Sequence, residues 1–224
     1  MRKRKVKRMS TNTGRFVIAV AGPSGAGKST LVKELVRELE DAVALSFDDY
    51  HPSMVPSTNY PKDLAQWLAE GANPDSWTTP QMIVDLQALL CGETIIYPGN
   101  KNALHPATFI VMEEPFGRAR TPLKKLVNYV IAVDTPLEVA LARRLLRESE
   151  KPYFQEHPHE FGSSMLNYLH MYLEIARPLY LAANEHVSKD CNLVLDGLKP
   201  MSEIVCEAAK QVRMAASLLP VRLD

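Results

Sequence analysis

The sequence predicts an α/β fold, a doubly wound parallel sheet of about five strands flanked by helices and carrying a lid segment. Three observations predict it. Short apolar runs alternate with helix-period segments along most of the 224 residues. The runs are continuous rather than alternately polar, as strands buried on both faces are. The octet Gly22-Pro23-Ser24-Gly25-Ala26-Gly27-Lys28-Ser29 fits G-x-x-x-x-G-K-[ST] between one apolar run and one helix-like run, where a phosphate-cradling loop belongs.

In chain order, Arg15 to Ala21 is a β-rich run, and Leu31, Val32, Leu35, Val36 and Leu39 lay an apolar stripe along the following helix. Val43 to Phe47 reads as a second strand, ending in the polar cluster Asp48-Asp49-Tyr50-His51. Residues 52 to 79, rich in Pro, Asn, Ser and Thr, read as a substrate-side insertion with a short helix near Lys62 to Glu70. Pro80, with Met82, Ile83, Leu86, Leu89 and Leu90 on one face, starts a helix that Gly92 ends. Thr94 to Tyr97 reads as a short strand before the turn Pro98-Gly99-Asn100, and Phe109 to Met112 and Tyr129 to Val133 as buried ones. Thr135-Pro136-Leu137-Glu138 predicts a capping box opening a helix through Arg147. The polar segment Glu148 to Gly162 is the lid. A helix from about Ser164 to Glu185, kinked at Pro178, a strand Leu193 to Leu195 and a helix Ser202 to Ala216 complete the chain.

Composition narrows the class. Basic and acidic residues number 26 each, but Arg2, Lys3, Arg4, Lys5, Lys7 and Arg8 crowd the start, leaving 20 basic against 26 acidic and a net −6 for the rest. A basic tail over residues 1 to 13 therefore precedes one domain over 14 to 224, and the mildly acidic body argues against a specific nucleic-acid partner. No run approaches the eighteen or so apolar residues of a membrane span, which implies a soluble, cytoplasmic protein. Cys91, Cys191 and Cys206 are odd in number, widely spaced and without a C-x-x-C pair, so neither a disulfide framework nor a structural zinc site is expected.

The octet implies a P-loop NTPase fold. Backbone N–H groups around Gly22, Ser24, Gly25, Ala26, Gly27 and Thr30 turn towards a polyphosphate, Lys28 reaches the β- and γ-phosphates, and Ser29 ligates Mg²⁺. ATP with Mg²⁺ is the expected cofactor pair. Asp48, at the end of the second strand, is placed to take the proton of an acceptor hydroxyl; a loop-capping aspartate is the competing reading. Glu113 is the expected metal partner and Glu114 its rival by one residue. Arg143, Arg144 and Arg147 share one helix before the lid, suited to neutralising a transferring phosphoryl group; a solvated basic helix face explains them about as well. His51 and His105 are candidates to face substrate, and Tyr50, Trp77 and Tyr97 to stack on a base or fill the core.

Taken together, these segments resemble the uridine kinase group of phosphate-loop kinases, which also includes nicotinamide riboside kinases and, more distantly, phosphoribulokinase and pantothenate kinase. The likeness spans about residues 15 to 200. Ser46-Phe47-Asp48-Asp49-Tyr50 is similar to the group's S-x-D-[SD]-[FY], which implies that Asp48 is the catalytic base. Asn73-Pro74-Asp75-Ser76-Trp77 is similar to the segment whose aspartate holds ribose hydroxyls, here Asp75. Val111-Met112-Glu113 resembles the strand and glutamate of E-G-[IF], Asp134-Thr135-Pro136 with Leu141 to Arg147 resembles D-T…L-A-R-R-x-x-R, and Asn192 to Gly197 resembles the last strand and the turn near adenine.

Two departures stand out. Glu114-Pro115-Phe116-Gly117-Arg118 replaces the group's glycine and apolar residue, and the lid lacks its arginine-glycine-arginine cluster. The resemblance implies phosphorylation of a small-molecule hydroxyl, most directly the 5′-hydroxyl of a nucleoside. Nicotinamide riboside, pantothenate, sugar or glycerate are alternative acceptors, and a nucleotide-dependent switch or assembly ATPase is the alternative class. A small-molecule acceptor is the expected partner, with homo-oligomerisation open.

Overall fold

The computed structural model describes residues 14–53 and 60–218, with the side chains of 51–53 and 60–63 excepted. The basic tail and the His51 side chain therefore lie outside the described residues. Strands β1 (Phe16–Ala21), β2 (Ala42–Ser46), β5 (Phe109–Glu113), β6 (Tyr129–Asp134) and β7 (Leu193–Asp196) form one sheet in the order β2-β5-β1-β6-β7, every pairing parallel. Strands β3 (Ile95–Ile96) and β4 (Ala103–Leu104) make a separate antiparallel hairpin. The five-strand parallel sheet flanked by helices is the one the alternation of runs predicts.

The period-two side-chain pattern explains why both faces are covered. Ile18 and Val20 of β1 point into one core with Leu31, Leu35 and Leu39 of α1 (Lys28–Leu39) and Ile204, Ala208 and Val212 of α8 (Met201–Ser217). Val17, Ala19 and Ala21 point into the other, with Met82, Leu86 and Leu89 of α3 (Pro80–Leu90). A third cluster, outside the sheet, joins Leu64 and Trp67 of α2 (Tyr60–Ala69) to Phe116, Ile175 and Ala183.

Register sets the site. Glu113 stands opposite Val20 of β1 and Ser46 of β2, so the carboxyl ends of three adjacent strands finish level. The phosphate loop leaves β1, and a 3-10 turn, Phe47–Ser53, leaves β2. Both emerge beyond the carboxyl edge, where open α/β sheets bind ligands.

Beyond β6 the chain departs from expectation in two places. The predicted capping box at Thr135 does not form: Pro136, at ψ 135°, caps α4 (Leu137–Ser149) from outside the helix without a side-chain hydrogen bond. Thr135 is instead buried and donates its hydroxyl to the Ala26 carbonyl of the phosphate loop at 3.4 Å. The polar lid folds as helices, α5 (Pro152–Glu156) and α6 (Pro158–Met171). The chain then passes through a π-helical turn, Tyr172–Ala176, into α7 (Arg177–Ser188). Arg177 N–H reaches Tyr172 O, five residues back, and Pro178, which has no N–H to give, falls in the first turn of α7. The discontinuity expected at Pro178 is thus a widened turn before it.

Candidate active site

Between β1 and α1 the loop is shaped by glycine. Gly25 sits at φ +91°, and a Cβ there would fall 2.0 Å from the Ala140 carbonyl oxygen of α4, so the loop backbone lies directly against the lid-bearing helix. Gly27, at φ 97°, caps α1 in a left-handed conformation. The first intrahelical amide of α1 is Leu31 N–H, bonded to Gly27 O at 2.9 Å, so the earlier amides of the turn have no carbonyl four residues behind them. Together with the helix dipole they could hold an anion.

Lys28 and Ser29 converge on one carboxylate. Ser29 Oγ donates to Glu113 Oε2 at 2.9 Å, and Lys28 Nζ lies 3.4 Å from Glu113 Oε1 and donates to Pro23 O at 3.1 Å. Glu114 turns the other way and is fully buried, paired with Arg120 Nη2 at 2.5 Å and accepting from Phe116 N–H at 3.3 Å. Burial pushes the Glu114 carboxyl up, against the charge and hydrogen bond of Arg120. Glu113 is thus the carboxylate at the loop.

A hydroxyl and a single carboxylate suit Mg²⁺, which keeps several waters and takes its remaining ligands from substrate phosphates. Among the described residues no cluster of three or more His, Cys, Asp or Glu offers an all-protein cage. Ser29 and Glu113 are the residues that would hold the ion, and the chemistry it would supply is charge neutralisation on the phosphates.

The arginines of α4 reach across the loop. Arg144 Nη1 donates to Ser24 Oγ at 2.6 Å, and its guanidinium lies 4.7 Å from the centre of the Tyr168 ring of α6. Burial pushes the Tyr168 phenol up to about 12, with Arg144 acting in the opposite sense. Arg143 Nη1 donates to Gly197 O, in the turn after β7, at 2.9 Å. Arg147 lines the same cavity, which has a volume of about 650 Å³.

The lining of that cavity combines two groups of residues. One is Gly22, Ser24, Gly25, Gly27, Lys28, Ser29, Thr30 and Glu113 with the three arginines. The other is an aromatic and apolar wall of Phe47, Trp77, Pro115, Phe116, Leu179 and Ala183, with Tyr180 and Asn184 of α7. Asp48 lines it too, exposed, and no described residue hydrogen-bonds its carboxylate.

The family described as AAA domain matches residues 17–173, most of the chain. The chain belongs to the AAA domain family. A uridine kinase of Serratia proteamaculans strain 568 is 26% identical, aligned over 93% of this chain and 94% of its own. A uridine kinase of Yersinia pestis strain Pestoides F is 28% identical over the same shares. A gluconokinase structure from Sinorhizobium meliloti 1021 shares the fold at 18% identity and TM-score 0.52, over 91% of this chain and 95% of that one. The resemblance to the uridine kinase group thus extends along the chain, and this AAA-domain protein is a P-loop kinase of the small-molecule type, a phosphotransferase using ATP and Mg²⁺ with a hydroxyl acceptor.

Not every expected site residue of this kinase joins the cavity. Tyr50 is buried and donates to Asp85 Oδ2 at 2.9 Å, facing α3. Tyr97 donates to Asp49 and receives Ser46 N–H at 3.1 Å, behind the turn that carries Asp48. Both oxygens of Asp75 are held by Thr121, from N–H at 2.7 Å and Oγ1 at 2.6 Å, outside the cavity lining. Ala26 is buried, lending its carbonyl to Thr135. His105 lies with Thr94 at 3.0 Å on the hairpin.

Sequence reasoning missed the α7 contribution and the Phe47 and Phe116 rings. The signal for Phe116 was present as the Glu114-Pro115-Phe116 departure. Nothing in the period of α7 separates Tyr180 and Asn184 from their neighbours, because the face they present is set by the π-turn before them.

Proposed function

We propose that this kinase transfers the γ-phosphoryl group of ATP to the 5′-hydroxyl of a nucleoside. The observation that carries the reading is the position of Asp48. A carboxylate with no hydrogen-bond partner among the described residues lines the same cavity as Lys28, Ser29 and the aromatic rings of Phe47, Trp77 and Phe116, which suit a planar base. Asp48 accepts the proton of the attacking hydroxyl, and the loop amides, Lys28, Arg143 and Arg147 stabilise charge on the transferring group. Ser29 and Glu113 would hold the metal. Arg144 ties α4 to the loop through Ser24, so α4 and the helices of the lid close over the donor as a unit. The uridine kinase names of the relatives support a nucleoside as acceptor. A cytoplasmic location agrees with the absence, among the described residues, of a helix long and apolar enough to cross a membrane.

ADP release from ATP, measured with uridine, cytidine, nicotinamide riboside, pantothenate, gluconate and glycerate, tests the assignment. Stimulation by a nucleoside is the expected result. Steady basal hydrolysis indifferent to every acceptor would sink it in favour of a switch or assembly ATPase.

A further inference from the structure

We propose that the buried Glu114–Arg120 pair is a specificity device of this chain, holding the aromatic wall against the turn that bears Asp48. The inference rests on the nucleoside-kinase reading above. Arg120 is only 3% exposed and Glu114 not at all, yet neither belongs to the cavity lining. Arg120 instead touches three segments that do. Its Nη1 donates to Trp77 O and to Thr79 Oγ1, both at 2.8 Å, its Nη2 binds Glu114, and its guanidinium lies 5.2 Å from the centre of the Phe47 ring. Glu114 in turn takes Phe116 N–H.

One cation thus fixes Trp77, Phe47 and, through Glu114, Phe116. The Trp77 and Phe116 rings lie 6.0 Å apart, and both pack on Trp67. Phe47 is the residue immediately before Asp48. The polar satisfaction is nearly complete: only Arg120 Nε is buried without a partner in this cluster.

Energetics argue that the pair is not there for stability. Removing two charges from water costs about as much as their attraction returns, and apolar residues of like volume commonly replace such pairs without loss. What apolar residues do not reproduce is direction. A guanidinium anchored at a backbone carbonyl, a hydroxyl and a carboxylate fixes the relative placement of three segments that are otherwise far apart in sequence. Arg120 and Glu114 therefore act as positioning residues, aligning the acceptor with Asp48 while leaving the phosphate end alone.

The test uses the full chain with Glu114→Leu/Arg120→Met, which avoids stranding one buried charge, beside Glu114→Gln, which keeps an oxygen for Arg120. Thermal melting and labelled-ADP titration confirm folding and an intact donor end. With uridine as probe, the paired variant is expected to raise KM or lower kcat/KM by about 10²-fold, the cost of a roughly 1 Å misplacement. Glu114→Gln is expected to recover most of that loss. An unchanged uridine KM and kcat in the folded paired variant overturns the proposal, as does a loss of ADP affinity in equal proportion. If no nucleoside stimulates the wild type, the nucleoside reading fails, and the wall is judged from acrylamide quenching of Trp77 in a Trp67→Phe background. Quenching that rises with the paired substitution supports the positioning role, and quenching that stays constant refutes it.

Discussion

Ser29 Oγ donates to Glu113 Oε2 at 2.9 Å while Lys28 Nζ lies 3.4 Å from the other oxygen, so one carboxylate engages both loop side chains at the point where phosphates and metal would enter. Glu113 repels a bare polyphosphate and attracts a metal-bound one. Glu113→Gln is therefore expected to tighten metal-free ADP binding while abolishing the gain on adding Mg²⁺. Calorimetric titration with and without chelator reads both effects; an undiminished Mg²⁺ gain would place the metal elsewhere.

Among the described residues, Asp48 and Glu113 are the carboxylates lining the cavity, and Asp48 is the one proposed to face the acceptor. Asp48→Asn should lower acceptor-dependent turnover by about 10²- to 10⁴-fold, the usual scale of general-base loss, and leave nucleotide affinity unchanged. Near-full turnover in this variant would assign the proton to another group.

Gly25 and Gly27 share positive φ but differ in what surrounds them. A Cβ at Gly25 meets the Ala140 backbone at 2.0 Å, whereas at Gly27 it meets the flexible end of Met201 at 3.2 Å. Gly25→Ala should cost about 3 kcal/mol or more, a melting shift on the order of 6–12 °C at this size. Gly27→Ala should cost the strain of its φ alone, about 1–2 kcal/mol. Equal shifts would contradict the close approach of the loop to α4.

Arg144 holds Ser24 by a 2.6 Å bond and lies over Tyr168. Arg144→Ala removes both contacts, each worth about 1 kcal/mol, and is expected to weaken ATP binding by about tenfold. Titration of a fluorescent ATP analogue measures this. An affinity equal to wild type would separate α4 from donor binding.

Asp41 offers a pH test of the β2 edge. The Thr108 hydroxyl, at 2.5 Å, and then its N–H, at 3.0 Å, hold the Asp41 carboxyl below the usual carboxylate range. The folded value is depressed, so its stabilisation is present above the unfolded value, about 3.9, and is lost as pH falls through the folded one. Wild type should exceed Asp41→Asn in denaturant midpoint at neutral pH, and the two should converge in acid. A gap that persists at low pH would mean that the carboxylate charge is not its source.

Local rules made most of the sheet legible. β1, β5 and β6 are short apolar runs, and α1 carries its stripe at the spacing that buries it, so each could be read within its own segment. The Gly22 to Ser29 loop was legible because phosphate binding needs glycine, lysine and hydroxyl in a fixed order. That Asp48 and Glu113 line the same cavity as this loop followed from their places at strand ends. Of the aromatic wall, Trp77 was read as a candidate to stack on a base, but Phe47, Phe116 and Asn184 were not, because only the tertiary fold brings their segments together. Thr135 shows the opposite limit: its spacing to Glu138 satisfied a local rule, and a contact with Ala26, 109 positions away in sequence, won instead. Tyr50 and Tyr97 were read as rings to stack on a base or fill the core, and their hydroxyls turn to Asp85 and Asp49.

The π-turn at Tyr172–Ala176 bears on how this branch diversifies. An α-helix advances about 100° per residue, so the one extra residue of a π-turn rotates everything after it by that angle. Which amino acids of α7 look into the cavity is consequently decided upstream, by chain length rather than by side-chain identity. Losing or gaining a single codon there would present a different face of an otherwise unchanged helix to the acceptor, giving evolution a route to new substrates that alters no residue of the phosphate loop.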